Sequence, residues 1–282
     1  MKLHSVNSGY FKLDGGAMFG TVPKSIWNKL NPADSNNMCS WATRCLLIED
    51  GNRLFLIDNG MGNKQSEKFF GYYYLHGDDS LDKSLKREGF SFDDVTDMIL
   101  SHLHFDHCGG SIQFNKDKTG YEPAFKNATY YSTQRHWKWA TEPNPREKPS
   151  FLTENIIPIQ ESGQLKFIKE GESISENISV IYANGHTDGM MIPHINYKGK
   201  TVVYIADMMP SVGHIPLNYV MGYDTRPLLT MEERKPFMQR AADEEYILFL
   251  EHDPLNECCT VQHSDKGIRL KETFTLKEYF GE

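Results

Sequence analysis

The stretch MILSHLHFDHCGG, Met98 to Gly110, restricts what this chain can fold into more than any other feature. An apolar run gives way within a few residues to His102, His104, Asp106 and His107. Neutral imidazole and carboxylate are ligands for Zn²⁺ and related first-row dications, whereas thiolate-only sets mark structural zinc. On an extended backbone residues two apart point the same way, so His102 and His104 share a face. Asp106 and His107 lie past the bend, where they can reach a second ion. The preceding VTDMILS reads as a short buried strand leading straight into the motif.

Three further apolar runs end in residues of the same chemistry. VIYANGH ends at His186, VVYIAD at Asp207 and LFLEH at His252. Strand ends are where a rigid scaffold hands side chains to a loop, and active sites often sit there. The combined set is five imidazoles and two carboxylates. That is too many for one tetrahedral ion but suits two ions ~3.5–4 Å apart that share a carboxylate.

The rest of the chain mixes strands and helices. RCLLIEDGNRLFLIDNG places two apolar runs around Asp50-Gly51-Asn52 and reads as a β-hairpin; MMIPHINYKGKTVVYIAD reads as another, turning at Lys198-Gly199-Lys200. Residues Leu81–Glu88 and QRHWKWA read as helices, ATYYST as a strand, and Thr230–Glu244 as an amphipathic helix feeding the strand YILFLEHD. EPNPREKP, Glu142 to Pro149, reads as a proline-rich surface loop and the best candidate for a mobile insertion. Hairpins alternating with helices fit an α/β protein with layered sheets better than a purely doubly wound one.

At 282 residues with a net charge of −8, the chain has no basic footprint, so no nucleic-acid partner is expected. No run approaches the ~18 apolar residues that span a bilayer, and the N-terminus has no apolar signal region, so no membrane association is expected. The five cysteines are unevenly placed, with Cys258 and Cys259 adjacent, which does not suggest a disulfide framework. A cytoplasmic location and a single domain over 1–282, with an N-terminal extension of about 40 residues, are expected.

HLHFDH, followed in order by His186, Asp207 and His252, resembles the HxHxDH signature and ligand series of the metallo-β-lactamase superfamily. The resemblance runs from the RCLLIED hairpin through LEHD and implies a four-layer αββα sandwich. It implies that His102, His104 and His186 bind a first metal, that Asp106, His107 and His252 bind a second, and that Asp207 bridges them. A bridging hydroxide would attack the substrate, with Asp106 acting catalytically to orient the nucleophile or move its proton. Zinc is the expected metal, though the same ligands accept manganese, iron or cobalt. SHLHFDHCGG and GGAMFGTVPKSIW look most like the branch containing N-acyl-homoserine lactone lactonases and methyl-parathion hydrolase. The expected activity is hydrolysis of a small ester, lactone or phosphotriester. Some lactonases of that branch carry a tyrosine three residues after the bridging aspartate, where this chain has Pro210. A glyoxalase-II-like thioesterase is an alternative, without a clear basic cluster to support it. A non-catalytic metal-binding protein on the same fold is another, and the complete ligand set counts against it.

Other residues have two readings each. His214, Phe19 and Trp27 are candidate substrate contacts or simply structural residues. The aromatic run FFGYYYLHGDD, Phe69 to Asp79, is a pocket wall, core, or a subunit contact in a homodimer. Cys108 is expected to be a small packed residue, with Gly109-Gly110 serving a tight turn. Asp58 either closes a strand or supports the metal loop from behind. Asp188 caps or orients the loop carrying His186.

Overall fold

The structure, a computed structural model, describes residues 1–281. Its strands in chain order are β1 (Lys2–Asp14), β2 (Met38–Asp50), β3 (Arg53–Ile57), β4 (Asp97–Ile99), β5 (Ile112–Phe114), β6 (Tyr121–Pro123), β7 (Thr129–Ser132) and β8 (Leu165–Phe167). They continue with β9 (Ile178–Ala183), β10 (Met190–Tyr197), β11 (Lys200–Tyr204), β12 (Ile247–Phe249), β13 (Cys258–Ser264) and β14 (Gly267–Phe274). The chain forms two compact units, Met1–Gly9 with Thr43–Glu172, and Tyr10–Ala42 with Ser173–Glu282. No helix among the described residues is long and apolar enough to cross a membrane.

The first unit is built on the sheet β1-β2-β3-β4-β7-β8. The expected hairpin joins β2 to β3, with Asp50 paired to Arg53 and Gly51 at φ +65°, a turn conformation open to glycine. From β3 onward the strands run parallel: β3 with β4, β4 with β7, β7 with β8. Parallel strands are normally covered on both faces, and every residue of β4 is buried, as VTDMILS suggests. The C-terminal ends of β3 and β4 therefore lie side by side and deliver Asp58 and the His102 motif. The expected helices form at Leu81–Arg87, capped by Ser80 Oγ, and at Gln134–Thr141, capped by Thr133 Oγ1. Leu47, Leu56, Met98, Leu103, Phe125 and Tyr130 belong to the core of this unit.

Two expectations need correction here. Gly109 has φ −61°, an ordinary helical value, so no tight turn demands a glycine there. The reason is close approach: a Cβ on Gly109 would lie 2.3 Å from Met61 O, and one on Gly110 2.4 Å from Asn59 O. The segment Glu142–Pro149 is not wholly a surface loop, because the Glu147 side chain is buried.

The second unit carries the sheet β14-β13-β12-β11-β10-β9. The hairpin β10–β11 turns at Lys198-Gly199, φ +49° and +76°, the two positive values of a type I′ turn. β9 is antiparallel to β10, β10 is antiparallel to β11, and β11 is parallel to β12. β9, β11 and β12 thus run the same way and end on one edge of the sheet. The expected amphipathic helix spans Pro227–Asp243, starting earlier than Thr230 because Pro227 suits its first turn.

Candidate metal centre

In the first unit the motif leaves β4 in an extended path and closes into the short helix Phe105–Cys108. His102 Nε2 and His104 Nδ1 come within 3.0 Å of each other, as their two-residue spacing predicts. His107 Nε2 lies 3.7 Å from Asp106 Oδ2. Behind them stands Asp58, whose Oδ1 accepts from Ser101 N at 2.7 Å and whose Oδ2 accepts from Ser101 Oγ at 2.5 Å and faces His107 Nδ1 at 3.1 Å. Having given its one hydrogen to Asp58, Ser101 Oγ can only accept from His102 Nδ1, 3.1 Å away. Both Nδ1 atoms therefore carry hydrogen, and both Nε2 atoms are left with a lone pair for a metal. The support reading of Asp58 and its turn reading both hold, since its φ is +58°.

The second unit brings its three candidates together on the common sheet edge. Asp207 presents Oδ2 to His186 Nε2 and Oδ1 to His252 Nε2, each at 3.2 Å. Donor atoms on a tetrahedron with Zn–N bonds of ~2.0–2.1 Å stand about 3.3 Å apart, so these separations suit ligands of common ions. One carboxylate with each oxygen facing a different imidazole has the form of a bridging ligand. Here too the far nitrogen is held: His186 Nδ1 by Asp224 Oδ1 at 2.8 Å, and His252 Nδ1 by Ala42 O at 2.7 Å. Burial disfavours a charged His186, but Asp207 and Asp224 outweigh it and raise its pKa to about 10. The negative field that would hold a proton there suits a dication equally well.

The donor set fits metal. Imidazole and carboxylate groups are buried and oriented from behind, and two imidazole nitrogens stand 3.0 Å apart, a distance that calls for a proton or a cation between them. Buried histidine and acidic side chains thus gather into groups that could hold metal ions.

Other candidates lie elsewhere. Phe19 stacks between Trp27 (centroids 5.7 Å apart) and His214 (4.4 Å), and the three are 0, 2 and 0% exposed. His214 spends both nitrogens inside the protein, on Ser211 Oγ at 2.8 Å and Met18 O at 2.9 Å. These three residues are core of the second unit rather than a surface open to substrate. Cys108 is packed as expected, with its thiol pushed up to about 12 by burial. Asp188 accepts from Arg226 Nη1 at 2.6 Å, and Arg226 also donates to Asn184 O, so it steadies the His186 loop. Of the aromatic run, Phe69 and Tyr73 pack on Phe105, centroids 5.2 and 4.7 Å away, while Tyr72, Tyr74 and Leu75 are exposed. Sequence reasoning missed Ser101, although it stands inside the motif directly before His102, and missed Asp224 and Glu147, which sit in no recognisable pattern.

Residues 41–252 match the Metallo-beta-lactamase superfamily, and the chain belongs to that family. It is a metallo-β-lactamase-fold hydrolase, related to lactonases. N-acyl homoserine lactonase AiiA of Bacillus thuringiensis subsp. kurstaki is 24% identical over 264 residues, 89% of this chain and 93% of that protein. An N-acyl homoserine lactonase of Bacillus cereus is 26% identical over 198 residues, 67% of each. Among solved structures, a probable metal-dependent hydrolase from Staphylococcus aureus superposes with a TM-score of 0.86 at 27% identity, covering 97% of this chain and 98% of that one. AidC, a dizinc quorum-quenching lactonase, superposes with a TM-score of 0.80 at 22% identity, covering 97% and 95%, and bears on the fold alone.

Proposed function

We propose that this chain is a dinuclear zinc hydrolase of small lactones and esters. His102, His104 and His186 would hold one ion and Asp106, His107 and His252 the other, with Asp207 a carboxylate both could share. The observation that carries this reading is the Asp207 carboxylate, with one oxygen on His186 and the other on His252. When bound, the metals supply a water of lowered pKa and positive charge to polarise the scissile group. Asp106 and Asp207 keep some exposure, 9 and 6%, whereas His102 and His107 have none. Asp106 is thus placed to orient the attacking water and take its proton, while the buried imidazoles stay fixed. Phe69 and Tyr73, packed on Phe105 beside Asp106, supply an apolar wall for an acyl or aryl group.

Relatives named as N-acyl homoserine lactonases put lactones first among substrates. Pro210 has no hydroxyl to offer a lactone carbonyl, so an activated aryl ester or phosphotriester is the next class to try. Purified protein should carry about two metal ions per chain. His104→Ala and Asp207→Ala should each lower hydrolysis by at least ~100-fold. A screen of acyl lactones, aryl esters, thioesters and phosphotriesters on zinc-loaded protein identifies the class. Wild-type protein that takes up no metal would sink the reading.

A further inference from the structure

Glu142–Pro149 has no part in the centre proposed above, yet one of its side chains reaches the motif. Glu147 is 3% exposed. Its Oε2 accepts from Trp139 Nε1 and Asn144 Nδ2, both at 2.6 Å, and its Oε1 lies 3.4 Å from His104 Nε2. The backbone is tied as well: Asn144 Oδ1 accepts from Arg146 N and Glu147 N, Ser150 N donates to Glu147 O, and Phe105 N donates to Ser150 O. Phe151 packs against the His104 ring with centroids 4.8 Å apart. A segment with surface composition therefore encloses the second histidine of the motif.

His104 is turned end for end relative to the other proposed imidazole ligands. His102, His107, His186 and His252 each give Nδ1 to an acceptor and Nε2 to the centre. His104 points Nδ1 at His102 and Nε2 at Glu147. We infer that Glu147 is the positioning residue for His104, its carboxylate holding the ring hydrogen on Nε2 so that Nδ1 faces the metal with its lone pair. This rests on the dinuclear reading. An ionised carboxylate offers only acceptors, so the hydrogen in its contact with the ring belongs to His104. Such partners behind a ligand fix its tautomer and ring angle, and their loss costs about 10–100-fold in metal affinity.

The test compares wild type, Glu147→Ala and Glu147→Gln, each titrated with cobalt(II) against a competing chelator while the visible spectrum is recorded. A glutamine carbonyl can accept from Nε2–H and an alanine cannot. Glu147→Ala should weaken one of the two ions about 10–100-fold and change the spectrum of the cobalt that remains. Glu147→Gln should restore both. Nitrogen NMR of zinc-loaded wild type, which needs no variant to fold, should find the His104 hydrogen on Nε2. A hydrogen on Nδ1 overturns the assignment, as do two ions bound with unchanged affinity in Glu147→Ala. A wild type that binds no cobalt overturns the dinuclear reading and this inference together.

Discussion

A metal-binding imidazole has two nitrogens to satisfy, and the outward one of four proposed ligands here is met by three kinds of acceptor. Ser101 hydroxyl, Asp58 and Asp224 carboxylates and the Ala42 carbonyl serve His102, His107, His186 and His252. Two of the supporting positions are strained: Asp58 and Ala206, the residue before Asp207, have φ of +58° and +45°. Non-glycine residues in that region cost of order 1–3 kcal/mol and tend to cluster at functional sites. His214 shows the opposite use of an imidazole. Burial pushes its pKa down to about 3, against a hydrogen bond to Met18 O that favours the charged form. Above about pH 6.5 neither folded nor unfolded His214 binds a proton, and its neutral packing counts in full. As pH falls from there towards 3, the unfolded chain takes up a proton that the folded one refuses, and stability drops by about 1.4 kcal/mol per pH unit. Urea unfolding at pH 7, 6 and 5 should show this slope in metal-free wild type, reduced by that amount in His214→Phe, which keeps the stack on Phe19. Equal slopes in the two proteins would mean His214 is protonated in the fold. The five histidines proposed as ligands were legible because the chemistry is local or ends an apolar run. Asp224 and Glu147 were not, since they meet their histidines from 38 and 43 residues away with no pattern to mark them.

Within each unit, strand direction brings the candidate residues together. Asp58 and His102 leave adjacent parallel strands, β3 and β4, and His186, Asp207 and His252 leave three strands that share one direction. Apolar runs ending in His or Asp disclosed which residues would project from strand ends, but not the order of strands in the sheet. That order depends on pairing between segments far apart in sequence. Glycines illustrate the same limit. Gly109 was expected to serve a turn, yet what excludes a side chain there is the Met61 backbone, brought in from another segment. Gly109→Ala puts Cβ 2.3 Å from Met61 O and 2.5 Å from Met61 C, atoms that no rotamer change can move aside. Overpacking of this kind costs about 1–3 kcal/mol. Gly71→Ala meets nothing within 4 Å and has no positive φ, so it should stay within about 0.5 kcal/mol of wild type. Urea midpoints of the two variants measured side by side decide the matter. If Gly109→Ala is as stable as Gly71→Ala, the Met61 segment yields more readily than a packed backbone should.

At the scale of the whole chain, each compact unit is assembled from stretches that are not contiguous in sequence: residues 10–42 belong with 173–282, and residues 1–9 with 43–172. Units interleaved in this way leave no composition shift or linker at their boundaries, which is why the sequence reads as one uninterrupted domain. The proposed ligand set holds four motif residues, His102, His104, Asp106 and His107, and three strand-end residues, His186, Asp207 and His252. A ligand that binds only the folded chain stabilises it by RT ln(1 + [L]/Kd), about 4 kcal/mol at a thousandfold excess over Kd. Zinc should therefore raise the unfolding temperature of wild type, and a chelator should bring it back. Asp207→Ala removes one proposed strand-end ligand and leaves all four motif residues in place. If the seven residues act as one centre, this variant should lose most of the zinc-dependent shift and hold fewer than two ions by elemental analysis. If it keeps the full shift, the motif binds its metal without help from Asp207, and the shared carboxylate at the heart of the proposal is wrong.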